Sequence, residues 1–201
     1  MSYEGFTLEL LVQRFGISIV QHKDLYSSIA PQTASDLLQA VLKRNLPLVF
    51  GKGTEKARSE LLIAQVLVEV REILEQQIAV FSGVAFNVDK KLGLHGFCDF
   101  LISQNPLLIE VQAPVIMLVE AKREDLAGGI AQCIAEMVAA QKFNEQRNQP
   151  REKIFGVVSS GTDWRFLQLE GTIVTLDLRE YTISELEAIL GILVFMVSRS
   201  S

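Results

Sequence analysis

VIMLVEAK, positions 115–122, decides the fold. Val115, Ile116, Met117, Leu118 and Val119 follow one another without a polar residue, which describes a strand buried on both faces, and the run ends abruptly in Glu120 and Lys122. A strand covered on both sides lies in a sheet with helices over its faces. Side chains alternate along a strand, so Glu120 and Lys122 share one face. Ala121 points the other way. It is small enough to let a neighbouring element approach, and its carbonyl lies near the same edge.

FCDFLI, positions 97–102, repeats the pattern: Phe97, Asp99 and Leu101 fall on one face, Cys98, Phe100 and Ile102 on the other. A carboxylate among apolar neighbours is costly to bury without a cation or hydrogen-bond donors. If the two strands are neighbours, Asp99, Glu120 and Lys122 converge. Oxygen ligands beside an ammonium suit phosphodiester hydrolysis, in which Mg²⁺ polarises the phosphate and acidifies a water. Asp99 and Glu120 are then expected as metal ligands with the Ala121 carbonyl as a third, and Lys122 as the group that positions the water and stabilises charge. The plainer alternative is a structural ion pair of Lys122 with Glu120 or Asp99 at a strand end.

Working outward, Leu61, Leu62, Val66, Leu67, Val70, Ile73 and Leu74 recur at helical spacing and predict a helix over 55–77. Strands are predicted at 78–88, 95–103 and 115–122, with Gly93, Gly96, Asn105 and Pro106 marking turns. A second helix is predicted after Asp125, through Ile130, Cys133, Ile134, Met137 and Val138, followed by a polar stretch at 144–150. Strands at 153–159, 164–170 and 173–178 precede a closing helix capped by Thr182 or Ser184. The N-terminal 1–53 reads as a helical extension. Leu8, Leu11, Val12 and Phe15 are periodic, and a helix capped by Thr33 runs through Leu37, Leu38, Val41 and Leu42 until Asn45 and Pro47 end it. The expected organisation is one domain, with a core at 54–180 and a C-terminal helix at 181–201. The run FGKGT at 50–54 lacks the glycine spacing and the hydroxyl residue of a phosphate loop and is rejected.

GLHGFCDFLI at 93–102, VEAK at 119–122, Gln132 in the following helix and GVVSSGTDWRF at 156–166 are similar in order and spacing to the PD-(D/E)XK nuclease superfamily. Its signature is an Asp on one strand and Glu-x-Lys on the next. The resemblance covers about residues 55–170, and Cys98 stands where the nominal pattern has Pro. It implies an α/β fold with a restriction-endonuclease-like core, a central mixed β-sheet flanked by helices in αβββαβ order. It also implies an endonuclease acting on DNA with Mg²⁺, for which Mn²⁺ can substitute. By the same resemblance Glu60 joins the metal ligands, its alternative being a first-turn acid favoured by the helix dipole. Gln132 is implied as a catalytic residue near DNA or the attacking water, its alternative being a solvent-facing helical Gln. A second expectation, from a different class, is a catalytically inactive module that keeps the nuclease fold to bind protein or nucleic acid.

Composition narrows the field. A chain of 201 residues, 49% hydrophobic and 21% charged, fits one ordinary domain. Mean hydropathy is +0.27, yet the longest apolar run, 188–197, falls short of the about 20 residues that span a bilayer. The opening MSYEGFTLEL has acids where a secretory signal carries basic residues, so a cytoplasmic location is expected. Cys98 and Cys133 lack any CxxC spacing and read as buried reduced thiols. A net charge of −5 argues against coating nucleic acid by bulk electrostatics but leaves room for a locally basic cleft. Lys90, Lys91, Lys122, Arg123, Lys142, Arg147, Arg151, Lys153 and Arg165 are candidates for such a rim, with a solvated surface as the default. His95 is read as a turn residue and His22 is assigned nothing. No serine sits in a G-x-S-x-G elbow. Trp164 is read as a core or sheet-face aromatic. The closing helix, with Leu186, Ile189, Leu190, Leu193 and Val194, is expected to pack on the body, and its surplus at Phe195 and Met196 could instead form a homodimer contact.

Overall fold

The computed structural model describes residues 2–50, 53–123 and 126–198. A 3-10 turn at Tyr3–Gly5 leads into α1 (Leu8–Phe15), β1 (Ser18–His22) and α2 (Asp36–Val49). Next come α3 (Glu55–Arg58), a π-helical turn (Ser59–Ile63), α4 (Ala64–Ile73), β2 (Ala79–Ala85), β3 (Phe97–Ser103) and β4 (Val115–Ala121). The chain closes with α5 (Leu126–Gln146), β5 (Lys153–Ser159), β6 (Asp163–Glu170), β7 (Ile173–Asp177), β8 (Tyr181–Thr182), a 3-10 turn (Ile183–Glu185) and α6 (Leu186–Ser198). Gly51, Lys52 and Asp125 lie outside the described residues, and with them part of the rejected phosphate-loop segment and the expected start of the second helix.

The strands form one mixed sheet in the order β1-β7-β6-β5-β4-β3-β2, with β8 added against β6. β1 runs parallel to β7 and β4 parallel to β5; the other neighbours are antiparallel. Helices cover both faces, as the buried β4 requires. One core joins Val119 and Ala121 of β4 to Leu42 of α2, Val66 of α4 and Leu193 of α6. The other joins Leu101 of β3 and Leu118 of β4 to Leu11 of α1 and Ile134 of α5. α6 is absorbed into the first core: Met196 is buried and Phe195 lies edge-on to Tyr26 at 6.3 Å, so the apolar surplus read as a dimer contact is largely used inside the chain. Among the described residues no helix is long and apolar enough to cross a membrane.

The N-terminal segment departs from the expected helical extension. It supplies the edge strand β1, and its first turn and α1 cover the outer side of α5, which is why that helix is buried well beyond a single stripe. Ser35, not Thr33, caps α2, its Oγ accepting from Leu38 N–H at 3.1 Å. α2 also runs through Asn45 and Pro47 to Val49. Pro47 sits in the last turn, and buried Asn45 donates from Nδ2 to the carbonyl of Leu61 in the π-helical turn at 2.9 Å. Asn144 is a fully buried member of α5, not the start of a polar loop, and exchanges two hydrogen bonds with the backbone of Val115 at 2.8 and 2.7 Å.

Candidate functional site

β3 and β4 pair in the register Phe100↔Val119 and Leu101↔Leu118, and one further step sets Asp99 opposite Glu120. There the strands part. Asp99 Oδ2 accepts the backbone N–H of Ala121 at 2.8 Å, while the N–H of Lys122 turns to the Ser159 carbonyl of β5, also at 2.8 Å. The fork leaves both carboxyl groups at one edge of the sheet, on the face that α5 covers.

Glu120 is 2% exposed. Its Oε1 accepts from Lys122 Nζ at 2.5 Å and its Oε2 from Gln132 Nε2 at 2.8 Å. The same amide nitrogen donates to Glu136 Oε1 at 3.2 Å. The stem of Lys122 lies over Gly129 of α5, where a Cβ would come within 2.7 Å of Val158 Cγ1 and 3.0 Å of Lys122 Cε. Glycine at that position lets helix, strand and lysine meet.

The electrostatics are those of carboxyl groups held against their preference. Burial, then the charge of Asp99, pushes the Glu120 carboxyl up to about 7, against the hydrogen bond and charge of Lys122. Burial also raises Asp99, opposed by the Ala121 N–H and by Lys122, with Glu4 adding to the rise. For Lys122, burial acts downward, but the hydrogen bond and charge of Glu120, with Glu55 and Asp99 behind it, outweigh it and hold the ammonium above its ordinary range. Lys122 is therefore charged at neutral pH.

A cleft of about 350 Å³ opens beside Asp99 and Ala121, lined also by Glu55, Lys56, Ser59, Glu60, Ser82 and Gly83. Gly83 of β2 lies across from Asp99 at φ +60°, a left-handed conformation that glycine adopts readily. Glu60 reaches this cleft, but its side chain is 62% exposed and pairs with Lys56 at 3.7 Å rather than with the Asp99, Glu120 and Lys122 group. Gln132 is half-buried rather than solvent-facing, its amide tied to Glu120. Sequence reasoning missed Glu136, Glu55 and Glu4. Glu55 carries a readable signal, because it opens a helix capped by Thr54, whose Oγ1 accepts from Ala57 N–H at 3.1 Å. Its charge bears on Glu120 and Lys122.

The basic rim is narrower than the sequence indicates. β5 runs parallel to β4 with Ala121 beside Ser159, so Lys153, at the opposite end of β5, is about 20 Å from the site. Lys153 pairs with Glu170 and Arg165 with Glu180, and Arg147 stacks on Phe143. Trp164 is buried and donates from Nε1 to Gly161 O at 3.2 Å. Cys98 and Cys133 are buried free thiols.

Among the described residues no three of His, Cys, Asp and Glu stand together as a preformed metal cluster. The donor set still fits a hard cation. Asp99, Glu120 and the Ala121 carbonyl offer only oxygen, and each carboxylate oxygen can accept more than one partner. Fold and site together define an α/β protein with a buried carboxylate, lysine and glutamine group where its mixed sheet forks. No known protein family and no curated protein matches the chain.

Proposed function

We propose that the protein is a Mg²⁺-dependent nuclease acting on DNA, with a restriction-endonuclease-like core formed by α3–α4, β2, β3, β4, α5 and β5. The observation that carries this reading is the forked strand end, where Asp99 stands opposite Glu120 and its ion pair with charged Lys122, and an open cleft reaches Asp99 and Ala121. Asp99, Glu120 and the Ala121 carbonyl would hold the cation, which supplies Lewis-acid polarisation of the phosphate and a more acidic water. Glu60 lines the same cleft and is a further oxygen donor within that wall.

The chain's own groups account for the rest. The Ala121 N–H fixes Asp99, and Gln132 fixes Glu120 from the α5 side, so neither carboxylate has to reorganise when charge builds up. Lys122 keeps its proton at neutral pH and offers an N–H beside Glu120, where it can orient an attacking water and offset negative charge on a phosphate. Sheet and α5 exclude solvent from Glu120, which strengthens each of these interactions.

The competing reading is a non-catalytic module on the same fold. Titration with Mn²⁺ followed by paramagnetic relaxation separates the two. The nuclease reading expects binding that Asp99→Asn and Glu120→Gln each weaken strongly; a folded protein that takes up no Mn²⁺ favours the binding module.

A further inference from the structure

Glu136 is fully buried on α5, and it has no part in the chemistry described above. Its Oε1 accepts from Gln132 Nε2 at 3.2 Å, while its Oε2 has no hydrogen-bond partner among the described residues. An acid in such a place is expensive. A methionine would fill similar space without stranding an oxygen.

We propose that Glu136 is a positioning residue that locks the side-chain amide of Gln132, and through it the carboxylate of Glu120. A primary amide can sit either way round, and the acceptors on its two sides decide which. Here Gln132 Nε2 has Glu120 Oε2 on one side at 2.8 Å and Glu136 Oε1 on the other at 3.2 Å, so both of its N–H bonds are used and only the nitrogen-inward orientation is satisfied. Without Glu136 the amide could rotate and present its carbonyl to Glu120, repelling the carboxylate it now braces. Burial, with the charge of Glu120 behind it, raises the Glu136 carboxyl well above the usual range. As a support for the proposed cation site, the inference rests on the nuclease reading.

The test uses the full chain without metal and then with Mn²⁺. In wild type, the side-chain N–H resonances of Gln132 should be shifted from those of solvent-exposed glutamines and slow to exchange. Glu136→Met should remove that protection and weaken Mn²⁺ binding about 10- to 100-fold. Glu136→Gln, which keeps an acceptor oxygen in the same place, should restore both. Gln132→Met should weaken Mn²⁺ binding as much as Glu136→Met does, and the double variant no further, because the two act as one unit. Additive losses, or unchanged amide protection and Mn²⁺ affinity in Glu136→Met, would overturn the proposal. If wild type binds no Mn²⁺, the nuclease reading fails. The amide resonances then decide alone: their loss in Glu136→Met supports the lock and their persistence overturns it.

Discussion

Glu120 is almost fully buried, yet a lysine, a glutamine and a second carboxyl group all act on it. Its folded-state value lies above the ordinary 4.5, so the folded chain holds this proton more tightly than the unfolded chain does. The associated stability is full below the ordinary value and declines as pH rises through about 7. In metal-free protein the thermal midpoint of wild type should therefore fall more between about pH 5 and about pH 8 than that of Glu120→Gln. Parallel curves for the two proteins would sink this assignment of the proton. Gly129 gives a second residue-scale test, since a methyl group there meets Val158 and the Lys122 stem. Gly129→Ala should lower cleavage about 10- to 100-fold by shifting Lys122, while helix propensity offsets part of the packing strain in thermal melts. Unchanged cleavage would mean that the lysine needs no such seat. Asp99, Glu120 and Lys122 were legible as candidates because charges interrupting apolar strands are conspicuous. Glu136 was not, because a glutamate on a helix ordinarily faces water and only the packing around α5 reveals that this one does not.

The strands were the most legible elements. β3, β4 and β5 lie where alternation and apolar runs put them, give or take a residue or two at their ends. Helix ends were read less well, for identifiable reasons. Pro47 marks a stop in most sequences, but in the last turn of α2 the carbonyl it leaves unpaired costs little. Asn45, taken as part of the same stop signal, instead reaches Leu61 and braces the π-helical turn that carries Ser59 and Glu60 to the cleft. Asn144 is the clearest case. It replaces a strand partner for Val115, accepting its N–H and donating to its carbonyl. Asn144→Ala would strand both backbone groups at the start of β4 and should destabilise the fold by about 3 kcal/mol in denaturant unfolding. A loss within about 0.5 kcal/mol, typical of a surface substitution, would show that the clamp is dispensable.

At the scale of the molecule, the N-terminal segment is part of the body. Its β1 edge is largely exposed and, among the described residues, pairs only with β7 from the far end of the chain, so no local burial pattern marked it as a strand. Its α1 brings Leu11, fully buried, onto the α5 side of the sheet. Leu11→Ala should cost about 2–5 kcal/mol, as a core leucine does, whereas a loosely attached arm would tolerate the change. The same packing seats the first turn beside the site: Tyr3 donates to the Phe86 carbonyl at 2.6 Å, and the charge of Glu4 bears on Asp99. The central claim is tested most directly by incubating supercoiled DNA with the purified protein and Mg²⁺ or Mn²⁺, with an EDTA control, and comparing Lys122→Ala at matched thermal stability. Cutting that requires the metal and disappears in Lys122→Ala is the expected result. A folded Lys122→Ala protein that still cuts, or a wild type that cuts equally well in EDTA, would contradict it.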